Sequence, residues 1–174
     1  MKRAWLLCLM LLLAVFAGCT QKPVRCTSPE DNPAHHYLRG MLALEAGKLE
    51  LATEKFNRTV YCEEGFSAAY GGKAIVFALR AKAIAEPRYR DLEIQQAEEN
   101  LEKAKKLADI ENDRFQYHVA SMRVSTAVKG KNWLEKVESQ YGKAMKTSVD
   151  EKALDYYQGK EAATYFMGLA YMDS

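Results

Sequence analysis

Apolar and polar residues alternate along most of the chain with the period of an α-helix. From Tyr37 to Thr59, Leu42, Leu49, Ala52 and Phe56 recur at helical spacing, with Lys48, Glu50, Glu54, Lys55 and Arg58 between them. Helices that each bury one face give this pattern. Gly47 interrupts it, and a glycine there can take the positive φ that ends one helix before the next begins, so the two helices fold back antiparallel. Asn32 is a good N-cap and Pro33 a good first residue, which places the start of the first helix. Gly40 and Ala52 are small where two axes approach, and Phe56 fills the wider part of the seam.

The same period returns downstream. Phe66 to Arg80 predicts a helix that Ala81 to Ala85 extend and Glu86-Pro87-Arg88 break. A further helix is expected from about Leu92 to Leu107. Glu98, Glu99 and Glu102 stand among Lys103, Lys105 and Lys106 there, a solvated face. Arg114 to Lys129 and Trp133 to Lys146 predict a third pair with a turn at Gly130 to Asn132, and Tyr165 to Met172 predicts the start of a last helix. Scarce proline and the absence of alternating β-branched runs favour an all-α domain, and the chain is long enough for one such core.

The series Gly40, Gly47, Ala52, Phe56 resembles the tetratricopeptide repeat (TPR), a pair of antiparallel helices of about 34 residues that stacks on copies of itself. Gly72 and Ala74 echo its first helix. Ala97, Leu101 and Ala104 echo its second, displaced by the extra residues around Pro87. Ala127, Val137, Tyr141 and Ala144 form a third echo, and Tyr165, Gly168, Ala170 and Tyr171 a fourth. The resemblance implies antiparallel hairpins stacked as an irregular TPR-like α-solenoid over residues 33–174, with the last repeat incomplete. Either the chain is a fragment of a longer protein, or its last helix is a cap or a docking surface. The enlarged second hairpin is either a family variant or the wall of a pocket. Carrying over the family's concave groove gives Tyr37, Met41 and Leu44 from the first helix, and Ala69, Lys73 and Val76 from the third. Later helices give Met122, Thr126 and Lys129, then Tyr165, Leu169 and Met172. Mixed Tyr, Met and Lys suit an adaptable protein-binding surface. Leu44, Val76 and Leu169 are equally read as inter-repeat core.

The first residues follow another pattern. Lys2 and Arg3 precede an uncharged apolar run from Ala4 to Ala17, too short to span a bilayer and flanked as in a secretory signal. Phe16-Ala17-Gly18-Cys19 resembles the bacterial lipobox, with Phe16 where leucine is usual. That resemblance implies a signal peptide over 1–18 and a lipidated Cys19, held on a membrane because each buried methylene contributes about 0.8 kcal/mol. Thr20 after the cysteine implies the periplasmic face of the outer membrane. Residues 19–32 read as the lipidated cysteine and a polar tether. Cys8 leaves with the signal, so Cys26 and Cys62 remain as an exported pair of thiols. An antiparallel hairpin brings them together, and a disulfide between them is expected.

Charge and chemistry narrow the function. Loss of Lys2 and Arg3 reduces 25 basic residues to 23, equal to the 23 acidic ones. A neutral chain without aromatics interleaved among Lys and Arg is a poor nucleic-acid partner. His35 and His36 are adjacent and point about 100° apart in a helix, and His118 is distant, so no metal site is expected. No nucleotide loop or nucleophile elbow occurs, carboxylates sit among lysines, and neither an enzyme nor a cofactor is expected. The expected function is a membrane-anchored TPR-like lipoprotein of the bacterial cell envelope that binds an envelope protein or peptide as a scaffold or assembly factor. The alternative is a periplasmic ligand-binding component associated with a transporter.

Overall fold

The first helix begins where the local chemistry places it. Asn32 is extended and its side-chain oxygen accepts the His35 N–H at 2.8 Å, while Pro33 occupies the first turn. α1 runs Pro33–Glu45, Gly47 takes a φ of +69°, and α2 follows as Leu49–Cys62. A computed structural model describes residues 25, 26, 28–154 and 158–174. The leader, Cys19 and most of the tether lie outside the described residues. Five more helices follow: α3 Ser67–Ala83, α4 Pro87–Leu107, α5 Glu111–Val128, α6 Trp133–Lys146 and α7 Lys160–Met172. A single 3₁₀ turn lies at Glu151–Ala153, and no strand occurs among the described residues. The protein is all-α.

Short loops turn each helix up to α6 back on the one before it, and a longer connection that holds the 3₁₀ turn precedes α7. The closest partners are α1 with α2, α3 with α4 and α5 with α6. In addition α1 meets α3, α3 meets α5, and α5 meets α7, whereas α2, α4 and α6 have no close backbone contact with one another. Alternate helices therefore form one continuous row.

Phe56 fixes the start of that row. It is fully buried, and a methyl built on Gly40 would lie 2.6 Å from its Cε1, one built on Gly72 2.5 Å from its Cζ. The ring thus fills the space that glycines leave on both α1 and α3. Ala52 and Thr59 on the same face of α2 are equally inaccessible. One core runs from Tyr37 and Met41 through Ile75 and Val76 to Ala97, Ala120 and Val124. Two smaller clusters hold the C-terminal half: Met122, Val137, Met167 and Ala170, and separately Phe115, Ala144 and Ala163.

One expected boundary moves. α4 begins at Pro87 rather than near Leu92, because proline is tolerated at the first helical position and the Glu86 carboxylate accepts the N–H groups of Arg88 and Tyr89 at 3.2 and 3.1 Å. The sequence Glu86-Pro87-Arg88 ends α3 and starts α4 within the same few residues. The only buried residues of α4 are Ala97 and Ala104, so its first turns project with Tyr89 and Leu92 exposed.

The segment before α1 is pinned to the end of α2. Cys26 and Cys62 lie at disulfide distance, 2.04 Å between sulfurs, and the Arg25 N–H donates to the Cys62 carbonyl at 2.8 Å. Closing a loop across a separation of 36 residues stabilises by roughly 3 to 4 kcal/mol in the chain-entropy account. Asp31 adds a polar clasp: Arg58 donates to both carboxylate oxygens at 3.0 and 2.6 Å, and His36 Nε2 lies 2.7 Å away.

Two outcomes are expected. Gly72→Ala gains about 1 kcal/mol of helix propensity but forces a methyl against a ring that cannot move, and overpacking costs typically 1–3 kcal/mol. Urea unfolding should show it destabilised. Gly168→Ala, with nothing within 4 Å of the new methyl, should be stabilised, and a shift of both midpoints in the same direction would refute the wedge. The second concerns acid. Hydrogen bonds from Arg58 first, and from His36 next, lower the Asp31 carboxyl from 3.8 to about 2. A folded value below the unfolded one means a contribution complete above about pH 4 and lost as pH falls through about 2. Thermal midpoints of Asp31→Asn should therefore fall less steeply than those of the parent over that window; parallel curves would remove Asp31 from the account.

Candidate functional site

The row α1, α3, α5 and α7 carries two adjoining concavities, and a separate shallow one of ≈ 440 Å³ lies between α6 and α7, bordered by Glu138, Tyr141 and Tyr171. At the deep end of the row α3 lies close to α5, for a methyl on Gly71 would sit 3.1 Å from Ala120 Cβ. Beside this contact is a cavity of ≈ 30 Å³ whose walls include Tyr37, Met41, Val119, Gln116, Gln158 and Phe166. Ile75, Arg123 and Phe166 also border a second, open cleft of ≈ 270 Å³, whose rim includes Leu79, Lys82, Thr126, Leu169, Met172 and Asp173. The two spaces share these three side chains as a common wall.

Arg123 ties the rim together. Its Nη1 lies 2.7 Å from Glu45 Oε1 at the end of α1, and its guanidinium stands 4.2 Å over the Phe166 ring of α7. The cation is therefore engaged on both sides by protein. Deeper in, the Tyr37 hydroxyl donates to Gln116 Oε1 at 3.5 Å, and Gln116 Nε2 donates to Gln158 Oε1 at 3.1 Å. Gln158 is 8% exposed, and its Nε2, itself buried, has no hydrogen-bond partner among the described residues.

The groove positions carried over from the repeat distribute differently. Tyr37 and Met41 line the cavity, and Thr126, Leu169 and Met172 line the cleft. Leu44, Ala69 and Val76 belong to the core. Met122 is fully buried against the Val137 and Met167 cluster. Lys73 turns toward α4, 6.0 Å from the Tyr70 ring, and burial followed by the Lys103 charge lowers its pKa. Lys129 is held by Asp173 and stacks on Trp133. Tyr165 is 62% exposed on the outer side of α7. The groove residues Ile75, Leu79, Gln116, Arg123, Gln158 and Phe166 were not anticipated. Three of them sit one residue beside an expected position or three beyond Gly72, and one residue turns a side chain by about 100° around a helix. Spacing from Gly72 could have found Ile75 and Leu79; nothing in the sequence marks Gln158.

Histidines and cysteines offer little else. His36 is engaged by Asp31, and His118 Nδ1 lies 2.7 Å from Gln140 Oε1 in the α5–α6 seam, where burial lowers its pKa. Ligand atoms of Cys26, Asp31 and Cys62 fall within 4.8 Å of one another. With the sulfurs at bonding distance and Asp31 held by Arg58, they present no open metal site. Among the described residues no helix is long and apolar enough to cross a membrane. Comparison with family models, with curated proteins and with solved structures finds no match to this chain.

Proposed function

We propose that this chain is an irregular TPR-like α-solenoid, lipid-anchored through Cys19 to the bacterial cell envelope, that binds an envelope protein or peptide as a scaffold or assembly factor. The observation that carries the reading is the open apolar cleft on the row of alternate helices, with Leu169 37% and Met172 84% exposed at its lip. Neighbouring apolar side chains left in water on one rim mark an interaction surface. The lipid fixes the protein on the periplasmic face of the outer membrane and raises the local concentration of a bound partner. The cleft selects that partner, and no bond is made or broken.

Openness favours a protein partner over the transporter-linked ligand. The cleft is open to solvent, whereas small-molecule sites enclose most of the ligand's surface. Its walls include Leu79 and Lys82 from the end of α3 but no residue of α4, so the enlarged hairpin contributes a rim without enclosing a chamber.

The test is a photo-reactive side chain placed at Leu169 or Met172 in intact cells, with one at Tyr89 on the projecting hairpin as control. One envelope protein joined at the cleft positions and not at Tyr89 is expected. Leu169→Glu with Met172→Glu should then reduce capture more than about tenfold while circular dichroism stays unchanged, since surface substitutions rarely shift stability beyond about 0.5 kcal/mol. Tyr37 and Met41 are unsuitable for this purpose. At 8% and 7% exposure a charge there would unfold the domain. Retention of a small molecule with no crosslinked protein would instead favour the ligand-binding alternative.

A further inference from the structure

The open cleft is a groove between helices. Ile75, Leu79 and Lys82 border it from α3, and Phe166, Leu169 and Met172 from α7. In each helix these positions recur at three or four residues and so share one face. α3 and α7 both pack on α5 but have no close backbone contact with each other, which leaves α5 as the floor between two ridges. Leu79 is half-buried while Lys82, Leu169 and Met172 are exposed, so a partner reaches all four from solvent.

The polar groups of the walls decide what form of chain can lie there. Thr126 Oγ1 donates to the Met122 carbonyl at 3.0 Å, Arg123 is engaged by Glu45 and Phe166, and Asp173 is held by Lys129. An extended segment pressed into this groove would bury main-chain N–H and C=O groups against side chains already committed elsewhere, and each bond left unmade is costly. A helix satisfies those groups within itself and presents only side chains to the groove. Lys82 is the exception among the polar groups. It stands one turn beyond Leu79, toward the end of α3, and pairs with no carboxylate among the described residues. An uncommitted ammonium beside an apolar groove favours a carboxylate at the edge of whatever covers it.

We infer that the cleft receives an amphipathic α-helix of the partner, its apolar stripe seated between α3 and α7 and an acidic side chain at the edge of that stripe meeting Lys82. This rests on the protein-capture reading and names the segment that is captured. The apolar stripe supplies most of the affinity. The acid sets the direction in which the helix lies, because Lys82 stands at one end of the groove only.

The experiment titrates the full chain, held in lipid nanodiscs, with a synthetic peptide of about 20 residues, long enough to be helical alone, that carries a leucine stripe and one glutamate at its edge. The methyls of Leu79, Leu169 and Met172 and the ε-methylene of Lys82 are followed by nuclear magnetic resonance, and all four should shift. Replacing the peptide's glutamate by glutamine should weaken binding about threefold at low salt, the effect of one exposed ion pair. That difference should vanish in Lys82→Gln, an exposed substitution whose fold is checked by circular dichroism. A proline in the middle of the stripe, which breaks the helix, should weaken binding about tenfold or more. Equal binding of the glutamate and glutamine peptides would overturn the role of Lys82, and equal binding of the proline peptide would overturn the helix. No methyl shift with any peptide would overturn the inference as a whole. The capture reading is judged separately by crosslinking: an envelope protein joined at Leu169 or Met172 while the peptides leave the methyls unmoved would refute the helix and keep the capture.

Discussion

The ring of Phe56 between Gly40 and Gly72 is the contact on which the arrangement of helices depends. A helix pair can separate by a residue's width at little local cost, but a ring lodged against two glycines fixes the spacing of α1, α2 and α3 at once. From there the row is propagated by small residues, Gly71 meeting Ala120 and Ala97 filling the α3–α4 seam. The C-terminal half lacks a counterpart. Tyr141 stands where the repeat pattern places an aromatic, yet it is shared between two small clusters and Gly168 has nothing against it. Arg123, clamped between Glu45 and Phe166, therefore matters more for holding α7 than its single charge suggests.

The same geometry separates the two ends of the domain. Cys26, Arg25 and Asp31 are gathered at the end of α2, beside the start of α3, and the cleft opens around Leu79 and Lys82 near the other end of α3. The twelve helical steps from Ser67 to Leu79 rise about 18 Å. The pinned segment before α1 and the cleft therefore lie toward opposite ends of α3. The clasp fixes that segment further, since Asp31 is held from both α1 and α2.

Much of this was legible from residue types alone. Asn32-Pro33 announced α1, Gly47 its turn, and small Gly40 and Ala52 beside Phe56 the first seam, because each depends on local backbone chemistry or on size, whereas the contact of Phe56 with Gly72 on α3 was not anticipated. The proximity of Cys26 and Cys62 followed from the same hairpin. The start of α4 was misplaced because Pro87 reads equally as a breaker and as a first residue, and only the Glu86 cap decides. The groove was harder still. Ala69, Lys73, Met122 and Tyr165 came from matching a repeat, and matching fixes a helix's position along the chain better than its rotation. An error of one residue leaves the helix intact and moves Met122 from the groove into the core, exchanging it for Arg123.

That sensitivity explains why the buried glutamine is invisible in sequence while the cleft is half visible. Apolar side chains in a helix repeat every three or four residues, so Ile75 and Leu79 follow once Gly72 is placed. Gln158 lies just before α7, outside any periodic element, and its burial depends on how α5 and α7 meet rather than on its neighbours. A buried glutamine in a connection is unfavourable unless something completes its hydrogen bonds. Its oxygen accepts from Gln116, which accepts in turn from Tyr37, so one line of hydrogen bonds ties the connection before α7 to α5 and α1, and no periodic pattern in the sequence could have marked it.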